Sequence, residues 1–371
     1  MLKTLKLFCF VTAGSAAFLF SAASDAKTAN QPRAITASPG TDDAVRAYWT
    51  PERLRNAKPL ELTVSGAPHR SPHKTNGANP PEIFHGAMPT LRYDPSLAEK
   101  LWDEADAGPP RMHPPLSGGG GYPYTTNRLY PNPDAKIHTI FPYATVGHLF
   151  FHEPGGDFQC SASVIRLSTI ATAGHCVNDG NTNYYTNWLF IPANAAGKAP
   201  YGKWTWSSAI TTSAWYTGGG GVPNEQDDAI IVLNYNRKGN PIGAYTGYLG
   251  YEYNTPRPTA VSQLGYPCNL DSCSDPIATY TQMNGGPTNH FEWGTASFGG
   301  ASGGPEVQDF GQAPSGVPAE TLGGNIVISS TSYTYSSSTE VDGGSIFYAP
   351  GQNGEYTLGD DINYACSANG C

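Results

Sequence analysis

From about Ala144 onward, apolar, β-branched and aromatic residues come in short runs, each closed by Gly, Pro, Asn or Ser. Candidate strands are Thr145 to Phe151, Ala162 to Leu167, Thr169 to Ala173, Trp188 to Ile191, Ala229 to Leu233, Thr259 to Leu264, Ala278 to Met283 and Leu322 to Ser329. Many short strands at this spacing describe an antiparallel barrel or sandwich. The 43 Gly, 32 Pro and 22 Tyr, with only 14% charged residues, point the same way and exclude a helical bundle or coiled coil. No repeat of propeller or solenoid length is visible. The 371 residues leave room for two or three units, or for one large β domain with appendages.

Residues 1–26 have the three-part layout of a secretory signal: Lys3 and Lys6, an apolar run from Leu7 to Phe20, then small residues through Ala26. That run is too short for a stable spanning helix, and nothing later is long enough, so an exported, extracellular, membrane-free protein is expected. A formal charge of −9 offers no basic surface for phosphates, which argues against nucleic-acid binding. No feature implies an oligomer, and a monomer is expected.

Removal of the signal takes Cys9 with it and leaves six cysteines for an oxidising compartment. Sequence proximity suggests the pairs Cys160–Cys176, Cys268–Cys273 and Cys366–Cys371. A zinc site built from the last four would have four residues within each pair, a spacing that favours disulfides over metal. No metal or cofactor is expected.

Residues 27–128 differ in kind from the rest. They carry 12 Lys and Arg against 10 acids, whereas 129–371 carry 7 against 19. Helical periodicity is confined to Asp43–Ala57 and Ser96–Ala105, with Pro- and Gly-rich joints between and after. A disordered leader is one reading. A propeptide that docks on an acidic partner is the reading its charge and position favour, and Arg111 and Arg128 are candidate cut sites.

Gly299-Gly300-Ala301-Ser302-Gly303-Gly304-Pro305 can hold a serine on a tight turn with its hydroxyl exposed. The N–H groups of Gly300 and Ser302 would then converge on one point, where a developing oxyanion needs them. The hydroxyl requires a base, and His175 is the candidate. The strand Thr169 to Ala173 delivers it to a turn, and Cys176 is available to anchor its backbone to Cys160. A carboxylate must hold the other ring nitrogen. Asp227 and Asp228 precede an apolar strand on opposite faces; counting back from Leu233 puts Asp227 with Ala229 and Ile231, so Asp227 is expected to face His175 and Asp228 to be solvated. The last histidine, His290, precedes Ser302, which excludes the Ser-then-His order of α/β hydrolases.

Cys160-Ser161-Ala162-Ser163-Val164-Ile165, Thr172-Ala173-Gly174-His175-Cys176, Asp227-Asp228-Ala229-Ile230-Ile231 and Gly300-Ala301-Ser302-Gly303-Gly304-Pro305 resemble the motifs of the trypsin/chymotrypsin (PA-clan) serine peptidases, in the same chain order. Tyr48 to Arg53 is similar to the leader of secreted microbial members. The resemblance implies an all-β fold of two six-stranded antiparallel barrels over 129–371. It also implies a secreted endopeptidase acting on polypeptides through a His175–Asp227–Ser302 triad, with residues 27–128 as propeptide partner. A non-catalytic homologue that only binds, or an esterase on the same scaffold, is the alternative.

Two departures matter. Family members activated by a new N-terminus carry an aspartate before the nucleophile, and here that position is Ala301. Removal of the propeptide is therefore expected to unblock a cleft already formed. The resemblance places the specificity pocket at Ala296, Ser297 and Ser329, without the acid that selects Arg or Lys or the histidine that selects Glu. An apolar or small residue before the scissile bond is the expectation.

Overall fold

The two-residue turn Pro154-Gly155 folds strand Val146–Glu153 back on Gly156–Arg166, with Glu153 opposite Gly156 and Val146 opposite Ser163. In the computed structural model, which describes residues 33–69, 79–103, 122–132, 134, 136–256, 260–311 and 324–369, this hairpin is the centre of a closed six-stranded barrel. Its strands run in the order Trp204–Thr211, Thr186–Pro192, Val146–Glu153, Gly156–Arg166, Thr169–Thr172, Ala229–Leu233. The last returns to the first, and all pairings are antiparallel. Leu149, Val164, Ile170, Leu189 and Ile231 fill the interior.

The second barrel is assembled from two sheets. One contains Tyr124–Arg128, Ile277–Thr281, Val261–Gly265, Pro305–Gln308, Ile326–Ser330 and Gly250–Tyr253 in that order. The other contains Met283–Asn284, His290–Gly294, Ser338–Ser345 and Tyr333–Tyr335. A bridge between Ser329 and Ile346 joins them. The C-terminal helix Leu358–Asn369 packs against Trp204–Thr211 and Ala229–Leu233 of the first barrel. The expected all-β, two-barrel architecture is observed.

The leader is docked rather than disordered wherever it is described. Arg33–Thr36 adds a strand to Trp204–Thr211. Val45, Trp49 and Leu54 are buried in the first-barrel core, and Trp49 Nε1 donates to the Asn187 carbonyl at 2.6 Å. The periodicity over Asp43–Ala57 becomes two helices, Thr41–Tyr48 and Pro51–Asn56, because Pro51 has no N–H to continue the first. It opens the second instead, capped by Thr50, whose hydroxyl accepts from Arg53 N.

The helix expected at Ser96–Ala105 is not formed over its described part. Pro95–Leu97 is a single 3-10 turn, and Glu99–Lys100 extends to pair with Lys198–Ala199. Residues 104 and 105 lie outside the described residues, as do the expected signal segment 1–26, Arg111 and Cys371. The expected boundary at Arg128 falls at the end of strand Tyr124–Arg128. That strand makes a five-residue ladder with Ile277–Thr281, and Arg128 Nη2 donates to Asp271 Oδ1 at 2.8 Å. The strand therefore belongs structurally to the second barrel. No helix among the described residues is long and apolar enough to cross a membrane.

Trp49→Ala is expected to destabilise the intact chain by about 3–5 kcal/mol, the cost of emptying a buried indole site. Denaturant unfolding of the full chain, with limited proteolysis inside residues 33–69 as a second readout, measures the effect.

Candidate active site

His175 sits in the one-turn 3-10 segment Gly174–Cys176, directly after strand Thr169–Thr172. The Cys160–Cys176 disulfide ties that turn to strand Gly156–Arg166. Gly174 is obligatory for contact reasons. A Cβ there would lie 2.6 Å from the Trp215 ring and 3.0 Å from Asp227 Oδ1.

Asp227 is fully buried, and three donors from two parts of the fold converge on it. Its Oδ1 accepts the His175 backbone N–H at 2.8 Å. Its Oδ2 lies 2.7 Å from His175 Nδ1 and accepts the Ser332 hydroxyl at 2.6 Å. An ionised carboxylate only accepts, so the ring proton is assigned to Nδ1. That leaves Nε2 as the acceptor, and Nε2 is buried without a hydrogen-bond partner. The backbone N–H of Asp227 donates to Ser345 Oγ, which orients the carboxylate further.

Asp228 overturns one expectation. It is buried, not solvated, with no partner for either carboxylate oxygen. The C-terminal helix covers the face on which it lies, and burial, then the charge of Asp227, pushes its carboxyl well above the ordinary range.

The serine loop is stitched to the first barrel. Ser161 N donates to the Ser302 carbonyl at 2.7 Å, and Ser161 Oγ donates to the Gly300 carbonyl at 2.8 Å. Gly300 and Gly303 have φ of +97° and +75°, values that side chains resist. A Cβ on Gly303 would also lie 2.0 Å from Thr172 Oγ1 and 3.0 Å from Ala173 N, so the loop abuts the turn that carries His175. The N–H groups of Gly300 and Ser302 have no partner among the described residues. Ser302 Oγ and His175 Nε2 are not hydrogen-bonded to each other; in a substrate-free site such bonds are often long.

A small pocket opens beside Ser302, lined by Phe298, Gly299, Ala301, Thr331, Tyr333, Thr334 and Asp342. The leader's Glu61 forms part of its wall, with Oε1 accepting Gly299 N–H at 2.6 Å. Burial raises the Glu61 carboxyl, and the hydrogen bond from Gly299 N–H partly offsets it. Parallel strand pairing on both sides carries Glu61 across the cleft. Lys58–Pro59 pairs with Phe158–Gln159 of the first barrel, and Leu62–Val64 pairs with Tyr333–Tyr335 of the second.

Ala296, Ser297 and Ser329 do not line this pocket. Ala296 packs with Tyr124, Leu270 and Ile277. Ser297 N donates to Thr295 Oγ1, and Ser329 Oγ donates to the Ser345 carbonyl. Sequence reasoning missed Ser332, Asp342 and Glu61. The first two stand in β-rich stretches crowded with Ser, Thr and Gly, and nothing in the spacing marks them.

Cys268 and Cys273 form the second expected disulfide. Cys366 is disulfide-bonded to a partner outside the described residues. Cys160, His175 and Cys176 bring their ligand atoms within 4.8 Å of one another, but one disulfide uses both sulfurs, so no thiolate pair is available to a metal.

No family model matches the chain. Two solved structures share its fold: Protease Anisep from Arthrobacter nicotinovorans, at 26% identity and TM-score 0.51, and a thermostable serine protease AL20 from an extremophilic microorganism, at 27% and 0.51. Each alignment covers 61% of this chain, and 96% and 98% of the respective structures. The protein is a serine endopeptidase of the chymotrypsin-like class. Within that class it is similar to glutamyl endopeptidase of Bacillus licheniformis, at 24% identity over 254 residues, 63% of this chain and 73% of the relative.

Asp227→Asn is expected to cost about 1.5–3 kcal/mol, the scale of hydrogen bonds to a charged acceptor. It is also expected to shift the His175 Nδ1 proton resonance upfield. Ser332→Ala removes one donor of three, so a smaller loss of about 1 kcal/mol is expected, with the proton signal retained.

Proposed function

We propose that the protein is a secreted peptidase that hydrolyses peptide bonds through an acyl-enzyme on Ser302, held latent by its own leader. The observation that carries this reading is the set of three hydrogen bonds on buried Asp227, which leaves His175 Nε2 as an unoccupied base. In the proposed cycle Ser302 Oγ adds to the scissile carbonyl as its proton passes to Nε2, and Asp227 stabilises the imidazolium. The Gly300 and Ser302 N–H groups receive the oxyanion. Collapse expels the amine with the proton from Nε2. Water then repeats the steps on the ester and releases the acid.

Residues 27 to about 121 are read as the propeptide, preceded by a signal segment at 1–26. The strand Tyr124–Arg128 stays with the enzyme, because cutting after Arg128 would strip a paired strand from the second barrel. Leu62–Val64 supports latency: it occupies an edge of Tyr333–Tyr335 that would otherwise be open to an extended peptide. Ala301 supports activation by unblocking, since no carboxylate stands there to receive a new N-terminal ammonium.

Ser302→Ala is expected to lower peptide hydrolysis by at least about 10⁴-fold with the fold intact. Retained turnover would refute the assignment. Cleavage of the full chain upstream of Tyr122 is expected to raise activity, and acetylating the new amine is expected to leave that gain unchanged. Both are read by hydrolysis of a protein substrate and by mass spectrometry of the product.

A further inference from the structure

The donors and acceptors of the pocket beside Ser302 do not balance. Its hydroxyls are committed: Thr331 Oγ1 lies 3.1 Å from Glu306 Oε1, and Thr334 Oγ1 donates to the Val341 carbonyl at 3.2 Å. Behind them the Gln263 amide nitrogen reaches Asp342 Oδ2 at 2.8 Å and Thr331 Oγ1 at 3.2 Å. Asp342 Oδ1 is buried and has no hydrogen-bond partner of normal geometry, though the Thr334 hydroxyl lies near enough to the carboxyl to lower its pKa somewhat. No Lys, Arg or His is among the pocket's lining residues. Apart from the Ser302 hydroxyl the pocket has no spare side-chain donor, and its spare acceptor sits on a buried carboxyl, so an anionic side chain would meet an acid there and a cationic one would meet its complement.

We propose that Asp342 determines specificity in this pocket, its unused Oδ1 receiving the cationic end of a lysine or arginine side chain on the N-terminal side of the scissile bond. The proposal rests on the reading of Ser302 as nucleophile. It replaces the expectation of an apolar or small residue, which rested on Ala296, and it separates this chain from what the name of its glutamyl relative says of that protein. Glu61 and Asp342 line the same small pocket. Glu61 and Asp342 are therefore like-charged neighbours when ionised, and burial, with Glu61 among the further causes, pushes the Asp342 carboxyl well above its ordinary value. Glu61 is held there by strand pairing on both sides and by the Gly299 bond.

The test uses the full chain carrying Glu61→Ala, which removes the leader's carboxylate from the pocket and leaves the rest of the leader docked, with benzamidine as cationic probe and benzamide as its neutral counterpart. Benzamidine is expected to bind on the order of 100-fold more tightly than benzamide, and Asp342→Asn in the same background is expected to remove that preference. Equal binding of the two probes before the second substitution overturns the proposal. So does a cleavage profile of the activated full chain dominated by Glu or apolar residues, a measurement that does not depend on whether Asp342→Asn folds. Labelling by an uncharged organophosphorus reagent reports on Ser302 separately. A labelled protein without cationic preference refutes the role of Asp342 alone, and an unlabelled one refutes the nucleophile reading beneath it.

Discussion

A carboxylate buried out of reach of water must be compensated by donors, and the two barrels meet where that requirement is satisfied at Asp227. Two of its donors come from the His175 residue of the first barrel, and the third is the hydroxyl of Ser332, next to the second-barrel strand Tyr333–Tyr335. Losing any of them would strand part of a charge in a low-dielectric interior. The arrangement therefore sets the orientation of the imidazole and the relation of the two barrels at once.

The serine loop depends on the same seam. Ser161 follows the disulfide cysteine Cys160 and bonds both the Ser302 and Gly300 carbonyls. One strand of the first barrel thus anchors the histidine turn through sulfur and the serine loop through hydrogen bonds. The leader spans this seam from outside: Ala57 accepts from Gln159 beside Cys160, and Val64 accepts from Ser336 beyond the second-barrel strand. Its parallel pairings place a glutamate where the chemistry is read to occur, a location no property of the leader's own sequence announces.

Elements with a local cause were legible. Seven of the eight candidate strands appear over their described residues, most with shifted ends, and Ala278–Met283 divides between Ile277–Thr281 and Met283–Asn284; alternation and turn residues are properties of neighbours in the chain. The strands Trp204–Thr211 and Ser338–Ser345 were not anticipated. The second is Ser-, Thr- and Gly-rich and is held in a sheet by His290–Gly294 rather than by its own propensity. Ser96–Ala105 had helical periodicity, yet Lys198–Ala199 offered its backbone a sheet partner. Asp228 was expected in water because nothing nearby in sequence covers it. The helix that does lies more than a hundred residues later.

The sequence by itself determined the strand-rich class, two of the disulfide pairs among described residues, and the order of histidine, aspartate and serine, since each is written in short stretches of adjacent residues. Only tertiary structure decided that Ser332 completes the environment of Asp227 and that Asp342 and Glu61 come together at the pocket beside Ser302. The Ser332–Asp227 and Gly299–Glu61 contacts join residues 105 and 238 positions apart, and a buried polar atom becomes costly or useful only once folding has removed water from around it.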